Sequence, residues 1–188
     1  MSRHVVGIGG AQRPRSSSEL LVRAVLAECE RLGARTTMFD GAMLAGLPHY
    51  NPEDPGRTAA EQTFVDTVRG AHGLVIGTPG YHGGVSGIVK NAIDLLEDTR
   101  GDERVYLDAM PVGLVVSAAG WQAGGVTLSA LRGVVHAMRG WPTPVGIAIN
   151  STEQRPFAAD GSVQDPAVGR LVTAQARQIM GFRLEPLT

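Results

Sequence analysis

The residues best suited to chemistry sit in two glycine-rich turns. The first reads Gly10-Ala11-Gln12-Arg13-Pro14-Arg15-Ser16-Ser17-Ser18 and runs into an amphipathic stretch. A helix starting near Ser17 points its free N–H groups and the positive end of its dipole at whatever lies before it. The hydroxyls of Ser16, Ser17 and Ser18 and the guanidinium of Arg13 add donors, so this turn suits a phosphate dianion. The plainer reading is that the serines only cap the helix and Arg13 is solvated. The second turn follows the short apolar run Leu74 to Thr78 and reads Pro79-Gly80-Tyr81-His82-Gly83-Gly84, with a helix beginning near Ser86. Glycines there let backbone N–H groups approach a flat ligand with no Cβ in the way. Together with Tyr81 and His82 they suit a planar heteroaromatic better than a sugar or a metal. The plainer reading makes both residues ordinary turn and interface aromatics.

These turns need a scaffold, and the rest of the chain supplies one. Strands are expected at His4 to Ile8, Ala34 to Phe39, Gly73 to Thr78, Val112 to Ser117 and Pro144 to Ile149. Helices are expected near Ser17 to Leu32, Thr58 to Ala71, Ser86 to Glu97, Val126 to Arg139 and Pro166 to Gly181. Strands alternating with helices argue for a parallel α/β sheet. The 188 residues suffice for one such domain, taken as 1–188, and are too few for two. Ligands of an open parallel sheet sit beyond the C-terminal ends of its strands, where both turns fall. A third turn, Ser117-Ala118-Ala119-Gly120-Trp121-Gln122, can border the same crevice. Trp121 and Gln122 either cover a ligand or simply pack. The connection Gly41 to Arg57 is long enough to suggest a function or a partner.

The block Thr78-Pro79-x-Tyr81-x-Gly83, then Ser86-Gly87-x-x-Lys90-Asn91-Ala92-Ile93-Asp94, resembles the signature of the flavodoxin-like NAD(P)H-dependent FMN reductases. The Gly10 to Ser18 block resembles that family's phosphate loop. The resemblance implies a three-layer sandwich, a five-stranded parallel sheet in the order 2-1-3-4-5 with helices on both faces. It implies FMN as cofactor and NADPH or NADH as hydride donor. Arg13, Ser16, Ser17 and Ser18 would then meet the phosphate, and Pro79, Gly80, Tyr81, His82 and Gly83 would line the ring. Ser117 and Gly120 would border the same site. The flavin carries the hard chemistry, so no side chain need serve as a catalytic acid or nucleophile. Free flavin, a quinone, an azo dye or a metal oxyanion would be the acceptor, or reduced FMN would leave for a flavin-dependent monooxygenase. A homodimer or homotetramer follows from the same resemblance, as do structural roles for Ser86, Lys90, Asn91 and Asp94. Ala11 and Gly84 depart from the family, which often has serine at both. Two other classes stay open: a flavodoxin-type electron carrier without NAD(P)H activity, and a flavin-free interaction protein of the same fold. The first turn also has a dinucleotide-binding reading, but Gly7-x-Gly9-x-x-Gln12 lacks the third glycine. Only Asp40 is placed to meet a ribose there, and it equally suits a cap.

Composition excludes several classes. A net charge of −1 with dispersed acids and bases builds no field for nucleic acid. Cys29 is the single cysteine and sits among Val22, Val25, Leu26 and Leu32 at helical spacing, as a small buried hydrophobe does. His4, His49, His72 and His136 share no metal-ligand spacing, and no nucleophile elbow is present. No apolar run approaches the ~20 residues of a membrane span. The chain enters a strand at once without a secretory pattern, so a cytoplasmic protein is expected. The pattern Asn150-Ser151-Thr152 would then never meet the glycosylation machinery.

Overall fold

A computed structural model describes residues 2–184. The strands are β1 (His4–Gly9), β2 (Arg35–Phe39), β3 (Gly73–Pro79), β4 (Pro111–Ala118) and β5 (Trp141–Asn150). The helices are α1 (Ser17–Arg31), α2 (Gly41–Ala45), α3 (Ala59–Arg69), α4 (Gly87–Asp94), α5 (Trp121–Ala137) and α6 (Pro166–Gly181). All four strand pairings are parallel and the order is β2-β1-β3-β4-β5, as expected. Every residue of β1, β3 and β4 is buried, which a parallel sheet covered on both faces requires.

Strand alternation splits the apolar residues into two cores. Val6, Ile8, Leu74, Ile76 and Leu114 face α3, α4 and α5 through Phe64, Ala92 and Leu131. Val5, Val75, Val115 and Ile147 face α1 and α6 through Val22, Val25, Cys29 and Ala176. Two cores flanking one sheet are the three-layer arrangement. Cys29 is fully buried, and that burial pushes its thiol pKa up to about 12, so it behaves as the hydrophobe its spacing implies.

Several boundaries shift for physical reasons. β5 begins at Trp141 and runs through Pro142 and Pro144, which an edge strand tolerates because one side of its ladder is open. α5 begins at Trp121, five residues before the expected Val126, because Gly120 caps it at φ 115 and the packing of Thr127 and Leu131 outweighs the helix cost of Gly124 and Gly125. α4 gives way to a 3-10 turn at Leu95–Thr99. The 41–57 connection is not an open loop. Asp40 accepts from Ala42 and Met43 N–H to start α2. Arg57 pairs with Asp98 at 2.7 Å. The same guanidinium stacks 5.2 Å over the Tyr50 ring.

Candidate functional site

β1 and β3 are neighbours whose following helices depart to opposite faces, so a crevice opens between their C-terminal ends. The floor is backbone. Gly9 has φ 137, and a Cβ on it would stand 2.0 Å from Gly77 O. Only glycine fits there. A cleft of ≈ 430 Å³ above this floor is lined by Ala11, Arg13, Ser16, Ser17, Ser18, Pro79, Gly80, Tyr81, Ser117, Ala118, Ala119 and Ser151. Both glycine-rich turns thus meet in one place.

The first turn leads into the start of α1. Ser16 is the N-cap, and its Oγ accepts from Glu19 N–H at 3.3 Å and from Ala11 N–H at 3.2 Å. With both lone pairs engaged, Ser16 turns its own proton to Ser18 Oγ at 3.3 Å, which leaves the Ser18 proton free. Ser17 and Ser18 lie in the first turn, where backbone N–H groups have no intrahelical partner. Theirs find none among the described residues. Arg13 is exposed on the cleft wall. Arg15 takes positive φ and turns away, donating to Ala159 O at 2.8 Å. Glu19 is buried beside the turn and paired with Arg23 at 2.8 Å, so its negative charge is compensated. Arg23 also meets Asp40 at 3.4 Å. Asp40 is committed to that pair and to capping α2, which removes the ribose role of the dinucleotide reading.

The second turn is a tight hairpin. Tyr81 N–H donates to Gly84 O and Gly84 N–H to Tyr81 O. His82 and Gly83 at its tip have φ 52 and φ 79, the type I′ pattern. Gly80 N–H donates to Ser117 O at 2.9 Å. The open N–H donors of this turn are therefore those of His82 and Gly83, which have no partner among the described residues. A Cβ on Gly80 would lie 2.8 Å from Thr127 Oγ1 and 2.9 Å from Ala118 Cβ, so the turn is held tight against α5 and β4. Tyr81 is 55% exposed and lines the cleft.

Of the residues expected at the site, Arg13, Ser16, Ser17, Ser18, Pro79, Gly80, Tyr81 and Ser117 come together on the cleft wall. His82, Gly83 and Gly120 do not line it. The first two form the hairpin tip, and Gly120 N–H is held by Asn150 Oδ1 at 3.0 Å. Ser86 stands at the N-cap of α4 but does not cap it: its hydroxyl is buried without a partner, and its N–H donates to Thr78 Oγ1 at 2.9 Å. Asn91 ties down the 41–57 connection, accepting from Tyr50 N–H at 2.8 Å and donating to Pro48 O at 2.9 Å. Lys90 and Asp94 form an exposed pair along α4 at 2.7 Å.

Ala118 and Ala119 of the third turn line the cleft beside Ser117, whereas Ser151 was not expected there from sequence. Ser151 follows β5, which lies beside β4, and that order alone brings it to the crevice. Asn150 is buried, accepting from Gly120 N–H, Thr152 N–H and the Thr152 hydroxyl. It fastens β5 to the third turn and is closed to modification. Trp121 sits just past this turn, 54% exposed, its Nε1–H donating to Glu153 Oε2 at 2.9 Å. A larger groove of ≈ 890 Å³ lies elsewhere, between α4, the 3-10 turn and the end of α5. It has no glycine-rich turn and no open helix start, and charges of both signs line it.

Among solved structures, the fold is similar to an oxidoreductase from Corynebacterium diphtheriae, with TM-score 0.73, 19% identity, and 97% of this chain and 99% of that one covered. It is likewise similar to FerB, a flavoenzyme NAD(P)H:(acceptor) oxidoreductase from Paracoccus denitrificans, with TM-score 0.74, 21% identity, and 96% and 98% covered. In sequence it is 37% identical over 90 residues to an FMN-dependent NADPH-azoreductase of Staphylococcus haemolyticus, over 48% of this chain and 44% of that protein. A Staphylococcus saprophyticus protein of the same description is 38% identical over 92 residues, 49% and 45% of the two chains. The chain thus matches less than half the length of these relatives. A family model covers residues 3–154, both glycine-rich turns and the strands that carry them, and by it the chain belongs to the NADPH-dependent FMN reductase family.

Proposed function

We propose that the cleft binds FMN and that the chain, a single cytoplasmic domain over 1–188, is an NADPH- or NADH-dependent reductase serving a small-molecule acceptor. The observation that carries this is a juxtaposition. An open helix start with Arg13 beside it faces a Cβ-free turn bearing Tyr81, inside one cleft at the β1/β3 switch point. The cleft volume of ≈ 430 Å³ falls within the range of small-molecule sites.

The residues fit the two ends of FMN separately. Ser17 and Ser18 N–H, their hydroxyls and the Arg13 guanidinium offer a phosphate dianion fixed donors and a compensating charge. Ser16 holds Ala11 and Glu19 in place around them. Ala11 has no hydroxyl to add, so Arg13 carries more of the phosphate than a serine-bearing loop would require. Pro79, Gly80 and Tyr81 present a flat, shallow wall suited to a ring, and Ser117 closes the side toward β4. When bound, FMN supplies the redox chemistry, taking hydride from the nicotinamide and releasing electrons to the acceptor. The acceptor class is an azo compound, a quinone or free flavin, and with FMN itself as acceptor the product suits a flavin-dependent monooxygenase. The names of the staphylococcal relatives support the azo compound and NADPH.

A homodimer accompanies this reading, with a homotetramer as a pair of such dimers. Its support is α5, whose exposed face shows Gly125, Val126, Ser129, Ala130, Gly133 and Ala137, with His136 the one basic side chain among them. Small residues let a second helix approach closely. Beside them, the ≈ 890 Å³ groove carries Lys90 and Arg100 together with Asp94, Glu97 and Asp98, charges of both signs that a two-fold axis can set against their copies.

Titrating Arg13→Ala and Ser17→Ala with FMN and with riboflavin tests the assignment. Charge-assisted bonds contribute roughly 1.5–3 kcal/mol each, so FMN should weaken about ten- to a hundredfold for Arg13→Ala and riboflavin little. Equal losses for the two ligands would place the phosphate elsewhere.

A further inference from the structure

Trp121 is 54% exposed near the cleft, and its ring is held by a hydrogen bond. Trp121 is the first residue of α5 and follows Gly120, whose backbone only glycine adopts readily. Its Nε1–H is bonded to Glu153 Oε2. Glu153 is itself placed by Asn150, whose carbonyl accepts Glu153 N–H at 3.2 Å and whose side chain holds Gly120 N–H. One buried asparagine thus sets both members of the Trp121–Glu153 pair. The indole stands two residues from Ala119 and the carboxylate two residues from Ser151, and both Ala119 and Ser151 line the cleft. The backbone that carries the pair therefore borders the cleft, and the indole is open to solvent. Tyr81 at 55% exposed is the other open aromatic side chain there. Immobilising a flat ring in advance lowers the entropy lost when another ring stacks on it.

We propose that Glu153 is a positioning residue that holds the Trp121 indole as a shelf at the cleft mouth, and that this shelf selects planar aromatic electron acceptors over compact ones. The inference rests on the reductase reading, with the Trp121–Glu153 pair added as its specificity device. The chain has two tryptophans, so in a Trp141→Phe background Trp121 emission alone reports the shelf. Menadione, added without NADPH to the FMN-loaded protein, should quench that emission saturably. Glu153→Ala should weaken the apparent affinity on the order of two- to tenfold, the range of an aromatic pair. Glu153→Gln carries the same charge change but keeps an acceptor for the indole N–H, and should restore most of it. In turnover, Glu153→Ala and Trp121→Leu should lower kcat/KM for menadione relative to that for ferricyanide, which offers no ring, by a similar factor and mainly through KM. Equal losses with both acceptors, or Glu153→Gln no better than Glu153→Ala, would overturn the shelf while leaving the reductase intact. Failure of the unaltered protein to reduce either acceptor would instead overturn the reductase reading and the shelf with it.

Discussion

Where the strands begin and the helices end, Arg3 and Arg104 reach the last carbonyls of α6 and α3. Arg3 donates to Ile179 O at 3.0 Å and Phe182 O at 2.6 Å. Arg104 donates to Ala71 O at 2.7 Å, Val68 O at 3.3 Å and also to Arg69 O. His4 N–H donates to His72 Nδ1 and the His4 ring bonds Thr37 Oγ1 at 2.9 Å. Where the strands end and the helices begin, the backbone N–H groups of Ser17, Ser18, His82 and Gly83 have no partner among the described residues. Nor do the buried hydroxyls of Ser86 and Thr127. Helix C-termini carry partial negative charge and helix N-termini partial positive charge, so the two ends of one sheet pose opposite demands. The chain meets the first demand with its own arginines. It leaves the second open, which is what the proposed FMN phosphate requires. Stability and function are therefore separated along the strand axis.

That separation can be broken by substitution. The largest effect belongs to Gly9→Ala, which forces a Cβ onto Gly77 O at a φ that only glycine adopts readily. About 3 kcal/mol or more of stability should be lost, with FMN binding abolished, as read by urea denaturation and flavin titration. Arg104→Met comes next. It strips the carbonyls that end α3 and should cost roughly 1–3 kcal/mol in urea while FMN affinity stays within twofold or so. A matching loss of affinity would show that the two ends are coupled and not separate.

The smallest effect is a pH dependence at the strand starts. Burial first, then the nearby charges of Arg35 and His72, lower the pKa of His4 from its ordinary value. The folded state therefore binds a proton at His4 less readily than the unfolded chain. Its contribution is complete above the unfolded value and is lost as pH falls below about 6.5. The urea midpoint should drop between neutral pH and mild acid, and His4→Gln should flatten that drop. An unchanged slope in the variant would assign the acid sensitivity to other groups.

Much of this was legible in the sequence where one local rule dominated. Alternating apolar runs and glycine-rich turns marked the five strands, and the switch point followed from their order. The Arg13 to Ser18 and Pro79 to Tyr81 blocks were readable because glycine, serine and a following helix have few other uses together. What stayed hidden depended on long-range placement. Ser151 reaches the cleft only because β5 lies beside β4, and Glu153 is placed near it by its bond to Asn150 O. The division between Pro79, Gly80 and Tyr81 on the wall and His82 and Gly83 at the tip depends on the hairpin's dihedral angles. Asn91's tie to Pro48 and Tyr50 spans more than forty positions and has no local sequence signature. It also explains the 41–57 connection within one chain, so that segment no longer argues for a partner.

The central claim is that the open end of the sheet exists to hold a flavin that a nicotinamide reduces. The visible absorbance of the protein loaded with one equivalent of FMN, followed anaerobically before and after NADPH, tests this most directly. The account predicts a flavin band that remains with the protein through gel filtration or rapid dilution and bleaches on NADPH, faster than free FMN does under the same conditions. A protein-bound band that stays oxidised would contradict it in favour of an electron carrier, and a correctly folded chain with no affinity for FMN would contradict it altogether.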